Sequence, residues 1–263
     1  MKKYLVVIYV VFFLQSCEDN KVVYKPESSA RINSITVVVD NNSWNNTIGD
    51  KIRNLYADEY EGLPQIEERF TLKQMPYEAF SGFSRSSRNI IFINKKSNPE
   101  FFFEVDKYAR PQIYLEIKGN SIKSILEQID KSKKEAINKF TNGEIEENKR
   151  RILKSPLKDT SAMEDFSIDM KMPSAYSLYK QDQNLIWYQK QIQSGHSNII
   201  VTELASQKNI FDYNIPNLIK LRDSIGEIFL PGRNPESFII IEKEYFPYQK
   251  KVSYYVIKML ETR

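Results

Sequence analysis

Apolar residues follow strand and helix periods along most of the chain after residue 31. Ile35, Val37 and Val39 recur at every second position, which is the period of a strand. Ser121 precedes the longest helical pattern, in which apolar residues recur every three or four positions to about residue 154. Asn142-Gly143 is expected to kink or break this pattern. We therefore predict one long helix or a helix pair over residues 121–154.

The remaining segments with a clear period predict a mixed fold. Helices are predicted after Ser43 and after Asn214, since both residue types favour helix N-caps. Strands are predicted at residues 70–75, 79–83, 89–94, 113–117, 166–172, 185–192, 198–204, 237–242 and 252–260. The sequence thus predicts an α+β protein, with largely antiparallel sheets packed with a few helices. Residues 32–263 are expected to form one globular domain or two intimate subdomains, 32–155 and 160–263.

The first seventeen residues have the layout of a bacterial lipoprotein signal. Lys2-Lys3 precedes an apolar run from Tyr4 to Leu14, and Gln15-Ser16 leads to Cys17. The apolar run is too short to cross a bilayer, which requires about 20 helical residues. We therefore expect residues 1–16 to be removed as a signal peptide and Cys17 to be acylated.

Acylation would hold the protein on a membrane without a spanning segment. Residues 17–31 are polar and lack periodicity, so we expect a lipidated cysteine followed by a flexible tether. Cys17 is the only cysteine, so its acylation leaves no thiol for a disulfide, a nucleophile or a metal site. The expected location is the cell envelope, on the outer membrane, with the periplasmic and surface faces both open.

Composition and charge argue against several classes of function. The chain has 38 Lys and Arg against 34 Asp and Glu, whereas nucleic-acid-binding domains are usually strongly basic. His196 is the only histidine, and it lies in a predicted hairpin turn. No phosphate-binding loop, dinucleotide motif or HExxH motif is present. We expect no nucleic acid, metal or cofactor, and we name no catalytic residue.

One short segment has the residue types of an anion site. Arg85, Arg88, Ser86 and Ser87, with Ser84 beside them, offer guanidinium and hydroxyl donors that suit a carboxylate or a phosphate. The alternative is an ordinary polar end of a surface strand. These residues are the candidate binding site that the sequence provides.

Paired carboxylates and aromatic runs leave two further functions open. Glu67-Glu68 and Glu242 with Glu244 are close in sequence, and a glycosidase needs two carboxylates facing each other across a cleft. Tyrosine and phenylalanine within residues 245–248 and 254–255 can stack on sugar rings. Solvent-facing carboxylates and strand aromatics are the simpler interpretation of both patterns.

Several stretches carry a resemblance to known sequences: Arg31–Ile35, Val38–Asp40 with Trp44, Gly62–Gln65, Phe70–Gln74, Ala79–Phe83, Arg85–Asn89 and Ile228–Gly232. They resemble a family of uncharacterised Bacteroidota envelope lipoproteins that is known only as a domain of unknown function. The resemblance covers most of residues 31–263 and implies no catalytic residues. Proteins of this kind run on past the point where this chain stops. We therefore expect residues 252–260 to leave a sheet edge bare in a shortened chain.

These patterns favour a lipid-anchored envelope protein that acts through contacts with other envelope proteins. The first alternative is a module of the envelope that binds a glycan or an anion. An enzyme that uses carboxylates is the least favoured of the three. A deep pocket with aromatic side chains and arginines would favour the module, and two carboxylates facing each other across a cleft would favour the enzyme.

Overall fold

The computed structural model describes residues 24–59, 67–193, 195–203, 214–232, 234, 236–238, 240 and 241. These residues form two sheets and five α-helices. The predicted signal peptide, Cys17 and the predicted strand 252–260 lie outside the described residues.

The first sheet has five strands in the order β2-β1-β3-β5-β4. Their bounds are β1 Ser34–Val38, β2 Thr71–Met75, β3 Asn89–Asn94, β4 Glu100–Val105 and β5 Ile113–Lys118. β1 is parallel to β2 and to β3, and β3 is parallel to β5. Only the pair of β4 with β5 is antiparallel in this sheet.

Three helices belong to this part of the chain, and two of them cover one face of the sheet. The helices are α1 Asn41–Trp44, α2 Thr47–Tyr56 and α3 Ile122–Lys154. Ile52 of α2 and Phe140 of α3 lie in one buried cluster with Ile35, Ile91 and Leu115 of the strands. This cluster is the main core, and burial of its apolar side chains stabilises the sheet and the helices together.

The opposite face of the sheet is covered by loops instead of α-helices. Two 3₁₀ turns, Tyr77–Ala79 and Gly82–Ser86, lie between β2 and β3. Phe80 packs there with Val38, Ile90 and Tyr114 in a second, smaller cluster. The residues of β1, β3 and β5 therefore bury both faces of the sheet, as the nearly continuous apolar runs of parallel strands usually do.

The second half of the chain forms a three-stranded antiparallel sheet, in the order β6-β7-β8. Its elements are α4 Ser161–Glu164, β6 Ser177–Asp182, β7 Leu185–Ile192, β8 Gly195–Thr202 and α5 Ile215–Phe229. Ile186 and Tyr188 of β7 are buried with Met163 and Met172 in a third cluster. This small core shares no residue with the core of the first sheet.

The α+β class and the long helix are confirmed, with differences in detail. The expected antiparallel pairing holds for β6–β8 and for β4 with β5, whereas the other pairs of the first sheet are parallel. The cause for β1 and β2 is that α1 and α2 return the chain to the same end of the sheet. Residues 79–83, predicted as a strand, lie in and between the two 3₁₀ turns, and residues 166–172 form no strand although Phe166, Ile168 and Met170 pack on the third cluster.

Helix α3 runs without a break through Asn142-Gly143, where a kink or break was expected. A Cβ atom at Gly143 would lie 2.8 Å from Cδ1 of Ile113 in β5. The glycine therefore permits close packing of helix on sheet, and tertiary contact outweighs its low helix propensity. None of the described helices combines the length and apolar character that are needed to cross a bilayer.

Candidate functional site

Residues 26–31, which we call the strap, are bound to the first sheet by main-chain hydrogen bonds. The Ser28 amide donates to the Arg110 carbonyl at 2.9 Å, and the Ser29 amide donates to the Ser86 carbonyl at 2.8 Å. In return, the Arg88 amide donates to the Ser29 carbonyl at 3.0 Å. The strap is thus fixed to the sheet, although it belongs to the segment 17–31 that was expected to be a flexible tether.

Arg88 and Glu144 form a buried ion pair beneath the strap. Each residue is only 1% exposed. Arg88 Nε donates to Glu144 Oε1 at 2.7 Å, and Nη2 donates to Oε2 at 3.0 Å, so the contact is bidentate. Arg88 Nη2 also donates to the main-chain carbonyl of Arg31 at 3.0 Å. One guanidinium therefore joins β3, helix α3 and the end of the strap.

The Glu144 carboxylate also accepts two hydrogen bonds from outside the ion pair. The Asn33 amide donates to Oε2 at 2.7 Å, and Asn89 Nδ2 donates to Oε1 at 2.5 Å. Four donors thus converge on two oxygens. A buried charge is tolerated when it is paired and hydrogen-bonded in this way.

Glu147, one turn further along α3, binds three arginines. Arg150 donates to both of its oxygens, at 2.7 and 3.0 Å, and Arg151 Nε donates to Oε1 at 2.7 Å. Nη1 of Arg88 lies 3.7 Å from Oε1. The hydrogen bonds from Arg150, followed by those from Arg151, lower the pKa of Glu147 to about 2 even though burial opposes ionisation. The carboxylate is therefore ionised throughout the physiological range.

The same arginines reach the strap. Arg151 Nη2 donates to the Ala30 carbonyl at 3.1 Å. Arg150 Nη1 lies 3.5 Å from Glu27 Oε1, and Lys154 Nζ lies 3.4 Å from the same oxygen. The C-terminal turns of α3 therefore hold the strap by a hydrogen bond and two ion pairs, in addition to the main-chain bonds of the sheet.

Arg85, three residues before Arg88, lies on the surface in a different environment. Its guanidinium carbon is 5.2 Å from the ring centroid of Tyr108 and 5.6 Å from that of Phe80, and Nε donates to the Phe80 carbonyl at 3.2 Å. A cavity of about 360 Å³ adjoins it. The residues that line this cavity are Pro26, Glu27, Gly82, Phe83, Arg85, Ser86 and Tyr108. The cavity is therefore walled by the strap on one side and the 3₁₀ turn on the other.

The sequence-predicted anion site is divided by the fold. Arg88 is buried and ion-paired with Glu144, whereas Arg85 lies on the surface beside the cavity. The Ser86 hydroxyl is within 2.7 Å of both the Ser29 hydroxyl and the Phe83 carbonyl, and the Ser87 hydroxyl accepts from Thr36 at 2.8 Å. The two arginines and two serines do not converge on one point, and of the two arginines only Arg85 lines the cavity, together with Ser86.

A larger open groove, of about 600 Å³, lies beside α2. It is lined by Trp44, Arg53, Asn54, Ala57, Asp58, Glu59, Glu68 and Leu72. The guanidinium of Arg53 lies 4.6 Å from the indole centroid of Trp44, and its Nη1 donates to the Trp44 carbonyl at 3.1 Å. An aromatic face beside carboxylates and an amide suits a sugar hydroxyl or a basic group.

A polar cluster also lies at the carboxyl ends of β1 and β3. The chain adds β2 on one side of β1 and β3 on the other, so the direction of strand order changes at this point. Parallel α/β sheets commonly bind ligands at such a point. Lys95 Nζ donates to Asp40 Oδ2 and to the Ser43 hydroxyl, each at 3.0 Å, and the Ser43 amide and hydroxyl both donate to Asp40. Despite burial, the hydrogen bonds from Ser43 and Lys95 lower the pKa of Asp40. The Asp40 carboxylate, which accepts from the Ser43 amide, is the N-cap of α1, so the polar groups of this cluster are used to begin a helix.

The other sequence candidates are dispersed. Glu67 and Glu68 are exposed at the start of the described range 67–193, and His196 is exposed on β8. Glu242, Glu244 and the tyrosines of residues 245–255 lie outside the described residues, as does Cys17. Within the part of the chain that the structure describes, no three His, Cys, Asp or Glu side chains are grouped to hold a metal ion.

The buried pair Arg88–Glu144 was not predicted, although the sequence contains a signal for it. Buried positions of α3 recur at Ile129, Ala136 and Phe140, and Glu144 and Glu147 continue that spacing. A carboxylate on the apolar stripe of a helix must be paired when it is buried. The spacing therefore could have indicated two internal acids and a basic partner for them.

Comparison with protein families divides the chain near the end of α3. Residues 28–153 match the family model described as Domain of unknown function (DUF8532), and residues 155–263 match Domain of unknown function (DUF4837). The chain therefore combines two domains of unknown function. The first of these domains contains most of the strap, the five-stranded sheet and nearly all of α3, and the second contains the sheet β6–β8. No curated protein and no solved structure matches the chain.

Proposed function

We propose that the protein is a lipid-anchored component of a Bacteroidota cell envelope, acylated at Cys17 on the outer membrane. We further propose that it acts by binding other envelope proteins. The basic start, the short apolar run and the single cysteine of residues 1–17 support the anchor. Both matched domains are of unknown function, so the proposal depends on the sequence of the leader and on the geometry of the strap.

The strap is the observation that carries this proposal. It begins nine residues after Cys17, and it is hydrogen-bonded to the loops before β3 and β5 and ion-paired to α3. A force on the lipid anchor would therefore act on the sheet and the long helix directly. Such a connection limits the orientations that the first domain can adopt, which is useful to a protein that must present a surface to a partner at a fixed height.

The second domain offers an apolar surface for that partner. Tyr179 of β6 is 61% exposed, and its ring centroid lies 4.7 Å from that of Trp187 on β7. Leu178, which pairs with Tyr188, and Ile192 are also exposed, but they lie on the opposite face of the sheet from Trp187. Exposed aromatic residues are enriched at the centres of protein interfaces, because they bury a large area at a small entropic cost.

The anchor is tested by mass spectrometry of the protein made in cells that process lipoproteins. We expect the N-terminal peptide to begin at Cys17 and to carry acyl chains, and a Cys17→Ser variant to lack them. An intact leader, or a mature Cys17 without acyl groups, would refute the anchor.

Partner binding is tested by placing a photo-crosslinking amino acid at Tyr179 in the acylated protein. We expect irradiation of intact cells to give discrete adducts of defined mass. The control is the same amino acid at Lys123, an exposed residue in the first turn of α3. Identical adduct patterns at the two positions, or none at Tyr179, would refute a partner-binding surface on the second domain.

Glycan binding is a second candidate, which the groove beside α2 favours. Trp44 and Arg53 form one wall, and Asp58, Glu59 and Glu68 supply acceptors for sugar hydroxyls. If a glycan binds there, fragments of envelope polysaccharide should change the Trp44 fluorescence in a Trp187→Phe background. Replacing Asp58 by Ala should weaken that response, and replacing the exposed Asp182 of β6 should not.

A further inference from the structure

We infer that the surface around the Arg85 cavity rests on the bilayer, with Tyr24 and Phe83 among the lipid headgroups. Lys25 and Arg85 would bind lipid phosphates beside them. We call these four residues the membrane face. This inference rests on the proposed acylation of Cys17 and adds to it the side of the protein that contacts the lipid.

The membrane face has two aromatic rings that extend away from the fold. Tyr24 is 85% exposed and Phe83 is 83% exposed, the highest values among the large apolar residues of the described chain. Phe83 is held at the tip of the 3₁₀ turn, where Ser81 and Ser84 form a reciprocal capping box. Aromatic rings are favoured at the interface between lipid and water.

The length of chain between the anchor and the strap places this surface near the lipid. Seven peptide units separate Cys17 from Tyr24, so their Cα atoms are at most about 25 Å apart however the chain runs. Residues that surround the start of the strap must therefore stay within a few tens of ångströms of the acylated cysteine.

The charge of the membrane face suits phosphate groups. Glu27, which lines the Arg85 cavity, is paired with Arg150 and Lys154, and Asp106, whose carbonyl binds Lys25, is paired with Arg110. Lys25 Nζ donates to the main-chain carbonyl of Asp106, and Arg85 lies over the Tyr108 ring. Within the described chain neither cation is paired with a carboxylate, so both are available to lipid phosphates, which attract cations near the surface.

The inference is tested with the acylated protein in vesicles of phosphatidylethanolamine and phosphatidylglycerol. Since Cys17 is the only native cysteine and is acylated, a cysteine introduced as Phe83→Cys can carry a nitroxide label. The control is the same label at Ile122, which is 58% exposed and begins α3. The strap is bound by the C-terminal turns of α3, and position 122 lies at its N-terminal end. The helix is about 50 Å long, since its 33 residues each rise 1.5 Å.

We expect the label at position 83 to collide more often with oxygen, and at least threefold less often with a water-soluble nickel complex, than the label at position 122. Equal accessibility at the two positions would overturn the inference. A label at position 83 that neither reagent reaches would also overturn it, because protein and not lipid would then cover the surface.

A second measurement changes Phe83 and Arg85 themselves and follows the accessibility of a label at position 24. With the label at Tyr24→Cys, the double variant Phe83→Ser and Arg85→Gln should raise collisions with the nickel complex severalfold. An unchanged rate would overturn the inference. Mass spectrometry of the same samples separates the two proposals: absent acyl chains refute both, whereas an acylated protein with a water-exposed label refutes the membrane face alone.

Discussion

Replacing Glu144 by Gln tests the role of the buried cluster with a minimal change of shape. Both oxygens of Glu144 accept, and the four donors come from Arg88, Asn33 and Asn89. A glutamine has one oxygen and one NH₂ group, so in either orientation its NH₂ faces two of these donors. The variant therefore loses charge pairing and hydrogen bonding together.

The expected loss of stability is large for a single residue. Removing one partner of a buried ion pair costs about 3–5 kcal/mol, because the other charge remains without compensation. Unsatisfied donors of the main chain and of Asn89 act in the same direction, at about 1–3 kcal/mol each, although the costs are not additive. Since natural domains have only about 5–15 kcal/mol of stability, Glu144→Gln should unfold the first domain at much lower urea concentration.

The assay is urea unfolding of the detergent-solubilised protein, followed by Trp44 fluorescence in a Trp187→Phe background. The matched control is Glu146→Gln on the same helix, since Glu146 pairs with Lys149 at 2.8 Å and both side chains are largely exposed. Loss of an exposed pair should cost about 0–1 kcal/mol. Adding Arg88→Met to Glu144→Gln should recover part of the loss. Equal costs for Glu144→Gln and Glu146→Gln would refute the reasoning.

Two further predictions concern the pH dependence of stability at Glu147 and the substitution of two glycines. The pKa of Glu147 is lowered to about 2 from an ordinary value of 4.5, so its contribution to stability is complete above about pH 4.5 and disappears as the pH falls through about 2. Urea titrations should therefore show wild type more stable than Glu147→Gln by up to about 3 kcal/mol at pH 7, with the two converging as the pH approaches 2. A Cβ at Gly49 would overlap the main-chain carbonyl of Trp44, whereas Gly82 has φ +51° and open space around it. Thermal unfolding should show a loss above about 2 kcal/mol for Gly49→Ala and about 1 kcal/mol for Gly82→Ala.

Periodicity predicted the elements of the core better than their arrangement. The apolar runs in β1, β3 and β5 reflect burial on both faces of the sheet, and burial is the same whether a neighbouring strand runs parallel or antiparallel. Strand β4 was not predicted, although Phe101, Phe102 and Phe103 form a short apolar run like that of β3. The period of two at residues 166–172 reports side chains that pack on a core, and an extended segment needs no strand partner to do so.

The strap could not be predicted from local sequence, because its partners are distant in the chain. The Arg31 carbonyl binds a guanidinium 57 residues away, and the Ala30 carbonyl binds one 121 residues away. Its own residues are polar and without a period, which is also the pattern of a flexible linker. Order in this segment is therefore a tertiary effect.

The contrast between Arg85 and Arg88 shows why residue type alone did not locate the site. Arg85 belongs to a 3₁₀ turn on the surface, whereas Arg88 directly precedes Asn89, the first residue of a buried strand. The structural signal for Arg88 lay on another element, in the two glutamates that continue the apolar stripe of α3. If that pairing holds the strap as the geometry indicates, Arg88→Met should increase amide exchange at Ser29 as well as lower the stability of the domain. Arg85→Gln, which removes no strap contact, should leave exchange at Ser29 unchanged.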